Sequence, residues 1–178
     1  LTDDFIKEHN QAVAGKSRTV KVKAGETKAD ALKRTQKKYE KAIKSGAIEV
    51  TEAKYSNRIL VTRTDTKNNK KVDNALKSVK ALTKLVTDNK ELGNTSTRSK
   101  EISEGIAQAE KNLPDLSKNK RFQEFKENFT SIDELLKDKS QTEQIAELQN
   151  LENILSGSIE AYTSTVEESL ADAGINSY

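Results

Sequence analysis

The residues best suited to chemistry in this sequence are basic ones that recur every three or four positions along a predicted helix over 26–45. Each is a cation that could neutralise a nucleic-acid phosphate and release the counterion held there. Lys outnumbers Arg and no aromatic side chain is interleaved for base stacking, so the pattern predicts binding with little sequence preference. The candidate polyanion-binding residues are Lys21, Lys23, Lys33, Arg34, Lys37, Lys38, Lys41, Lys44, Lys77, Lys80 and Lys84.

The same face has an alternative interpretation, because Lys-rich faces also solvate helices or pair with acidic residues of their own chain. Residues 11–100 carry 23 Lys and Arg against 9 Asp and Glu, whereas nothing after Lys139 is basic. The acidic C-terminal segment could therefore screen the basic half, contact a basic partner, or contact the basic half of a second copy.

A second candidate set consists of apolar residues on predicted C-terminal helices. Three Phe residues follow a spacing of three and four, and a longer apolar stripe runs through the last helix. Aromatic residues concentrate at interaction hot spots, although such stripes also form the core of a single chain. The candidate residues for a protein partner or for self-association are Phe122, Phe125, Phe129, Leu148, Leu155, Ile159, Tyr162 and Val166.

No residue pattern indicates catalysis. The chain has no Cys and one His, His9, which lies near Asp3, Asp4 and Glu8. It lacks an HExxH pair, a GxSxG elbow and the Gly-rich phosphate loops, so we predict no catalytic residue, no metal site and no cofactor. An enzyme remains the third interpretation, and it requires His9 to meet distant carboxylates in space.

The order of the helices and strands predicted over the first half of the chain indicates a small α+β unit. A short helix over 2–13 precedes a strand over 17–24, where apolar and polar residues alternate. The order strand, helix, strand, strand, helix then resembles the first five elements of a split β-α-β layout, with a right-handed crossover and helices on one sheet face. The later predicted elements are the 26–45 helix, a hairpin of 47–53 and 58–64, and a helix over 65–88.

The second half is predicted to be all helical, with segments over 99–112, 120–138 and 142–173. The apolar residues of the last helix repeat with an 11-residue period, which is typical of a nearly straight packing stripe. We therefore predict a helix-dominated α+β protein with a small basic β-α-β-β-α unit and a helical bundle. The predicted domains are a basic α+β domain over 1–89, a linker over 90–98, and over 99–178 a bundle with an acidic C-terminal helix.

The sequence favours a non-catalytic structural or protein-interaction component that acts through helical surfaces. The longest apolar run, Ile59 to Val61, is too short to span a membrane. The absence of Cys leaves the compartment open, whereas the absence of Met and the low aromatic content slightly favour a proteolytically processed virion-associated or secreted protein over a cytoplasmic one. The alternative function is sequence-nonspecific nucleic-acid binding by the basic face of the 26–45 helix.

Overall fold

The protein is a helix-dominated α+β molecule with a small antiparallel sheet and a long C-terminal helix, which confirms the predicted fold class. The computed structural model describes residues 2–13 and 17–175. They form two compact units, and the first combines residues up to Lys67 with residues from Thr163 onward. The second unit extends from Asn68 to Tyr162. The predicted domain boundaries stay a prediction, because compact units need not be independently folding domains.

The first unit contains the predicted three-stranded sheet. Its strand order is β1-β3-β2 with both pairs antiparallel, so β1 and β2 run parallel on either side of β3, as in a split β-α-β layout. The elements are α1 Asp3–Val13, β1 Ser17–Lys21, α2 Lys28–Lys38, α3 Glu40–Lys44, β2 Ile48–Glu52 and β3 Arg58–Arg63.

One face of this sheet packs against α2 and α3. Alternate strand residues on that face, including Ile48, Val50, Ile59 and Val61, are buried, as period-2 patterning requires. On α2 the buried residues are Ala31 and Thr35, whereas Ala29 is exposed. Thr35 is buried although it is polar, because its hydroxyl donates to the Ala31 carbonyl at 2.8 Å.

The predicted 26–45 helix is interrupted. A capping box starts α2, in which the Thr27 side chain accepts from the Asp30 backbone N–H and the Asp30 side chain accepts from that of Thr27. At Tyr39 the backbone leaves the helical region (φ −106°, ψ 26°), and α3 begins at Glu40. Gly46 follows with φ 74°, the left-handed conformation that commonly ends a helix.

The second unit is built from helices around one apolar cluster that includes Val72, Ile102, Ile132 and Leu148. A 3₁₀ turn, Pro114–Lys118, links two of the helices. The predicted linker over 90–98 is partly helical, because the next helix begins at Thr95. The helices are α4 Asp65–Thr87, α5 Thr95–Asn112, α6 Lys120–Asn128, α7 Ile132–Leu136 and α8 Gln141–Asp172, and α4 and α8 continue across the boundary between the units.

The predicted helix over 120–138 is two helices. The backbone is extended at Phe129 (ψ 114°) and at Ser131 (ψ 165°), where the Ser131 side chain caps α7 by accepting from the Glu134 backbone N–H. The Ser99 hydroxyl of α5 also accepts from the Ile132 backbone N–H at 2.9 Å. The break is therefore stabilised both by a local cap and by a contact with another helix.

The last helix, α8, has 32 residues and is continuous through Gly157. Its N-terminus is capped by Ser140 and Glu143, each of which accepts from the backbone N–H of the other at 3.2 Å. The helix is followed by Gly174 in the left-handed conformation (φ 74°), and the Ile175 N–H donates to the Leu170 carbonyl at 2.8 Å.

Candidate nucleic-acid interface

The lysines of α2 and α3 lie at the surface of the first unit. Exposure is expected from the local sequence, because the buried positions Ala31, Thr35 and Ala42 direct the opposite side of the helices outward. The exposed cations of this basic face are Lys33, Lys37, Lys38, Lys41 and Lys44.

These lysines have few ion-pair partners. Lys41 Nζ lies 4.0 Å from Asp172 Oδ2, and Lys44 Nζ lies 3.6 Å from Glu40 Oε1. The Lys41 and Lys44 side chains nevertheless remain 81% and 77% exposed. Exposed pairs at these distances are weak and are screened by salt, so both ammonium groups stay available to another anion.

Within the described part of the chain, the other three lysines of the face have no ion-pair partner. Lys38 Nζ lies 5.3 Å from the centre of the Tyr39 ring, a cation–π contact, while Tyr39 itself is buried. The face therefore carries cations without an exposed aromatic ring on α2 or α3.

Arg34 is engaged inside the unit. Its guanidinium donates to both carboxylate oxygens of Glu26, at 2.7 and 3.2 Å, and to the Lys21 carbonyl at 3.0 Å. The guanidinium is the main cause of a lowered pKa of Glu26, and the Lys23 backbone N–H adds to the effect. Glu26 in turn raises the pKa of Arg34. Arg34 thus connects α2 to the end of β1.

The remaining predicted cations are divided between the units. Lys21 and Lys23 are exposed near the end of β1 in the first unit. Lys77, Lys80 and Lys84 are exposed on α4 in the second unit, and Lys84 pairs with Asp88 at 3.3 Å. The structure therefore brings the lysines of α2 and α3 together on the first unit, and the α4 lysines belong to the second unit.

The acidic end of α8 reaches the basic unit. The Ser169 and Ser45 hydroxyls lie 2.9 Å apart, and Asp172 approaches Lys41. Only this end, from Thr163, belongs to the first unit. The lysines beside this end of α8 are still exposed.

The predicted partner-interface residues are mostly core. Five of them are between 0% and 4% exposed, which leaves almost no surface for a partner: Phe122, Leu148, Leu155, Tyr162 and Val166. The remaining ones, Phe125, Phe129 and Ile159, are half-buried, and the Phe125 and Phe129 rings stack with centres 5.7 Å apart.

Among the described residues, the first unit also contains cavities that sequence patterns did not reveal. A groove of about 570 Å³ lies between α2, α3 and β2, with Ile43, Ile48 and Val50 in its lining. A cleft of about 380 Å³ lies between α1 and the sheet. Residues far apart in sequence form the cleft, and the groove depends on how α2, α3 and β2 fold together within residues 36–50, so local periodicity could not indicate either.

The candidate catalytic group His9 is exposed on α1, and its ring stacks on Phe5 with centres 6.5 Å apart. Over residues 2–13 and 17–175, no cluster of His, Asp and Glu is arranged to hold a metal ion. In the same ranges no helix has the length and apolar character needed to cross a membrane.

Comparisons of the chain with protein-family models, with curated proteins and with solved structures find no match. The function must therefore be argued from the residues and their geometry alone.

Proposed function

We propose that this protein is a non-catalytic binding component, and that the basic face of α2 and α3 contacts the phosphate backbone of a nucleic acid. The observation that carries the proposal is the exposure of the lysines at 33, 37, 38, 41 and 44 with few carboxylates beside them. A cluster of exposed ammonium groups is the electrostatic footprint of phosphate binding.

The chemistry of the face favours binding without sequence preference. Lysine contacts phosphate as a point charge, whereas bidentate reading of guanine edges usually needs arginine. The arginine of this surface, Arg34, is held by Glu26 and the Lys21 carbonyl. The face therefore supports positioning on a backbone rather than recognition of bases.

A duplex fits the face better than a single strand does. Proteins that bind single strands usually stack successive bases on aromatic rings. The aromatic residue of this segment, Tyr39, is 8% exposed. A protein packaged beside nucleic acid, as in a virus particle, would have use for such a surface.

The experiment is a fluorescence anisotropy titration with a mixed-sequence labelled DNA duplex at several salt concentrations. Nonspecific affinity is expected in the range of roughly 1–100 µM near physiological salt, rising steeply as salt is lowered. Changing Lys33, Lys37 and Lys41 together to Gln should reduce the slope of log K against log salt by about 3, because each phosphate contact contributes about 0.9.

A control variant of equal charge changes three exposed lysines elsewhere, Lys111, Lys118 and Lys137, to Gln. It should keep the wild-type slope. Equal losses in the two variants would show that net charge alone attracts DNA and would contradict a specific face. Tighter binding to an acidic polypeptide than to DNA would instead favour a protein partner.

A further inference from the structure

We propose that the cleft between α1 and the sheet binds a nucleobase. Its volume of about 380 Å³ lies within the usual range of small-molecule sites, roughly 300–1,000 Å³. Phe5 and His9 of α1 line one side, and Tyr55, in the turn between β2 and β3, lines another. Ser17 and Leu60 line the cleft from the sheet.

This cleft is distinct from the basic face of α2 and α3. Thr19 and Leu60, which pair across β1 and β3, both line it. They alternate with the buried Ile59 and Val61 of the sheet face that packs on α2. Because side chains of a strand alternate between its two faces, the cleft lies on the other face of the sheet.

The cleft offers aromatic rings to a ligand. Phe5 and Tyr55 are 37% and 47% exposed, and together with Ile6 they are the large apolar side chains left exposed among the residues the structure describes. Their ring centres are 5.5 Å apart at an angle of 83°, an edge contact that leaves ring surface uncovered. A planar base can stack on such a surface.

The cleft also contains a polar group in need of a partner. The Ser17 hydroxyl oxygen is buried and makes no hydrogen bond with any described residue. Buried hydroxyls are nearly always hydrogen-bonded, so Ser17 has an unused donor and acceptor at the cleft wall, which a ligand reaches when the side chain turns toward the cleft. A hydroxyl both donates and accepts, and the edge of a nucleobase presents donors and acceptors side by side.

Charge favours a base rather than a phosphate inside the cleft. Glu8 is in the lining, and its carboxylate accepts from the Lys54 backbone N–H at 3.2 Å. A phosphate beside this carboxylate would be repelled, whereas a neutral base would not.

The test is a ¹H–¹⁵N NMR titration of the whole chain with adenosine, which carries no phosphate. We expect shifts confined to the amides around the cleft, including those of Phe5, Ser17 and Tyr55, and none with ribose 5-phosphate. Absence of shifts at 10 mM adenosine, on the order of the weakest useful affinity, would overturn the proposal, as would the same shifts with ribose 5-phosphate.

Variants distinguish the cleft from general surface effects. Tyr55→Ala should weaken adenosine binding about 5-fold or more, whereas Tyr55→Phe should keep it because the ring remains. Ser17→Ala should weaken binding several-fold through the lost hydrogen bond, and Ile6→Ala, an exposed residue outside the lining, should not. Circular dichroism would establish that each variant is folded. Unchanged affinity in folded Tyr55→Ala and Ser17→Ala would contradict the assignment.

The natural ligand could be a free nucleoside or an unpaired base of a nucleic-acid strand. Comparing the binding of adenosine with that of a single-stranded oligo(dA) and of its duplex distinguishes the two. Free nucleosides and unpaired bases of a strand both present an accessible base, whereas a duplex hides it. The variant with Lys33, Lys37 and Lys41 changed to Gln should bind adenosine normally. The experiments therefore distinguish a failure of base binding in the cleft from a failure of phosphate binding by the basic face.

Discussion

Arg34 shows how a single ion pair changes the function expected of a charged residue on a helix surface. By sequence it is one of six cations on a helix, yet its guanidinium is held by Glu26, eight positions earlier. That separation lies outside the three- and four-residue spacings at which helical side chains meet, because Glu26 precedes the helix cap. The exposure of the lysines was predictable from patterning, whereas the engagement of Arg34 depended on how the chain enters α2.

The Glu26–Arg34 pair predicts a pH dependence of stability. The folded-state pKa of Glu26 is below its ordinary value of 4.5, so the pair stabilises the fold above that value and loses its effect as pH falls through the lowered pKa. Glu26→Gln should therefore lower Tm at pH 7, and the difference from wild type should shrink below pH 4.5.

Thermal unfolding followed by circular dichroism across this pH range measures the difference. The matched control is Glu49→Gln, at an exposed acidic position on β2. A difference in Tm that is constant down to the lowest pH would show that the ionised pair is not its cause.

Gly105 shows that the helix packed against α5 determines which residue α5 can hold at this position. By sequence it weakens a predicted helix, because glycine is a poor helix former. In the structure a Cβ at this position would clash with the Cβ of Ala75 and lie 3.0 Å from the Lys71 carbonyl oxygen. The glycine thus allows α4 and α5 to approach closely, and a single sequence cannot reveal which helix lies opposite.

The interruption after α6 had a signal in the sequence. Ser131 and Glu134 have the spacing of a helix N-terminus, but the Phe residues at three and four extend the helical pattern across it. The order and type of most elements followed from periodicity. Their interruptions depended on caps and on contacts such as that of Ser99 with Ile132.

Two glycine substitutions in helices should have opposite effects on stability. Gly105→Ala should destabilise the protein by about 1–3 kcal/mol, because the added methyl group overpacks the contact. Gly157→Ala, where a Cβ would meet nothing within 4 Å, should stabilise α8 by roughly 0.5–1 kcal/mol. Urea unfolding gives both values, and stabilisation by Gly105→Ala would contradict the close approach of α4 and α5.

At the scale of the whole molecule, the two compact units differ less in charge than the basic first half and the acidic end of the sequence do. The first unit contains 16 Lys and Arg against 12 Asp and Glu, and the second contains 15 against 16. The excess positive charge therefore belongs to the unit that carries α2 and α3, even after the acidic end of α8 joins it. Linear counts could not show this, because the first unit is assembled from separate segments of the chain.

This assembly predicts the behaviour of fragments. Val166, Leu170 and Ile175 are each at most 5% exposed, and burial of each side chain contributes about 1.5–3 kcal/mol. Residues 1–67 joined to 163–175 by a Gly-Ser linker should therefore protect the buried amides of Ile59 and Val61 from hydrogen exchange better than residues 1–67 alone. Equal protection in the two fragments would show that the C-terminal segment contributes nothing to the sheet.

The discontinuous first unit also sets an order of events during synthesis. At about 5–20 residues per second, roughly 5–20 s separate the translation of Lys67 from that of Thr163. Throughout that interval the nascent sheet and its basic helices lack their last segment, and Lys41 lacks Asp172. The growing chain therefore presents the basic face of α2 and α3 beside the ribosome, an RNA-rich machine, before the acidic end of α8 has been made.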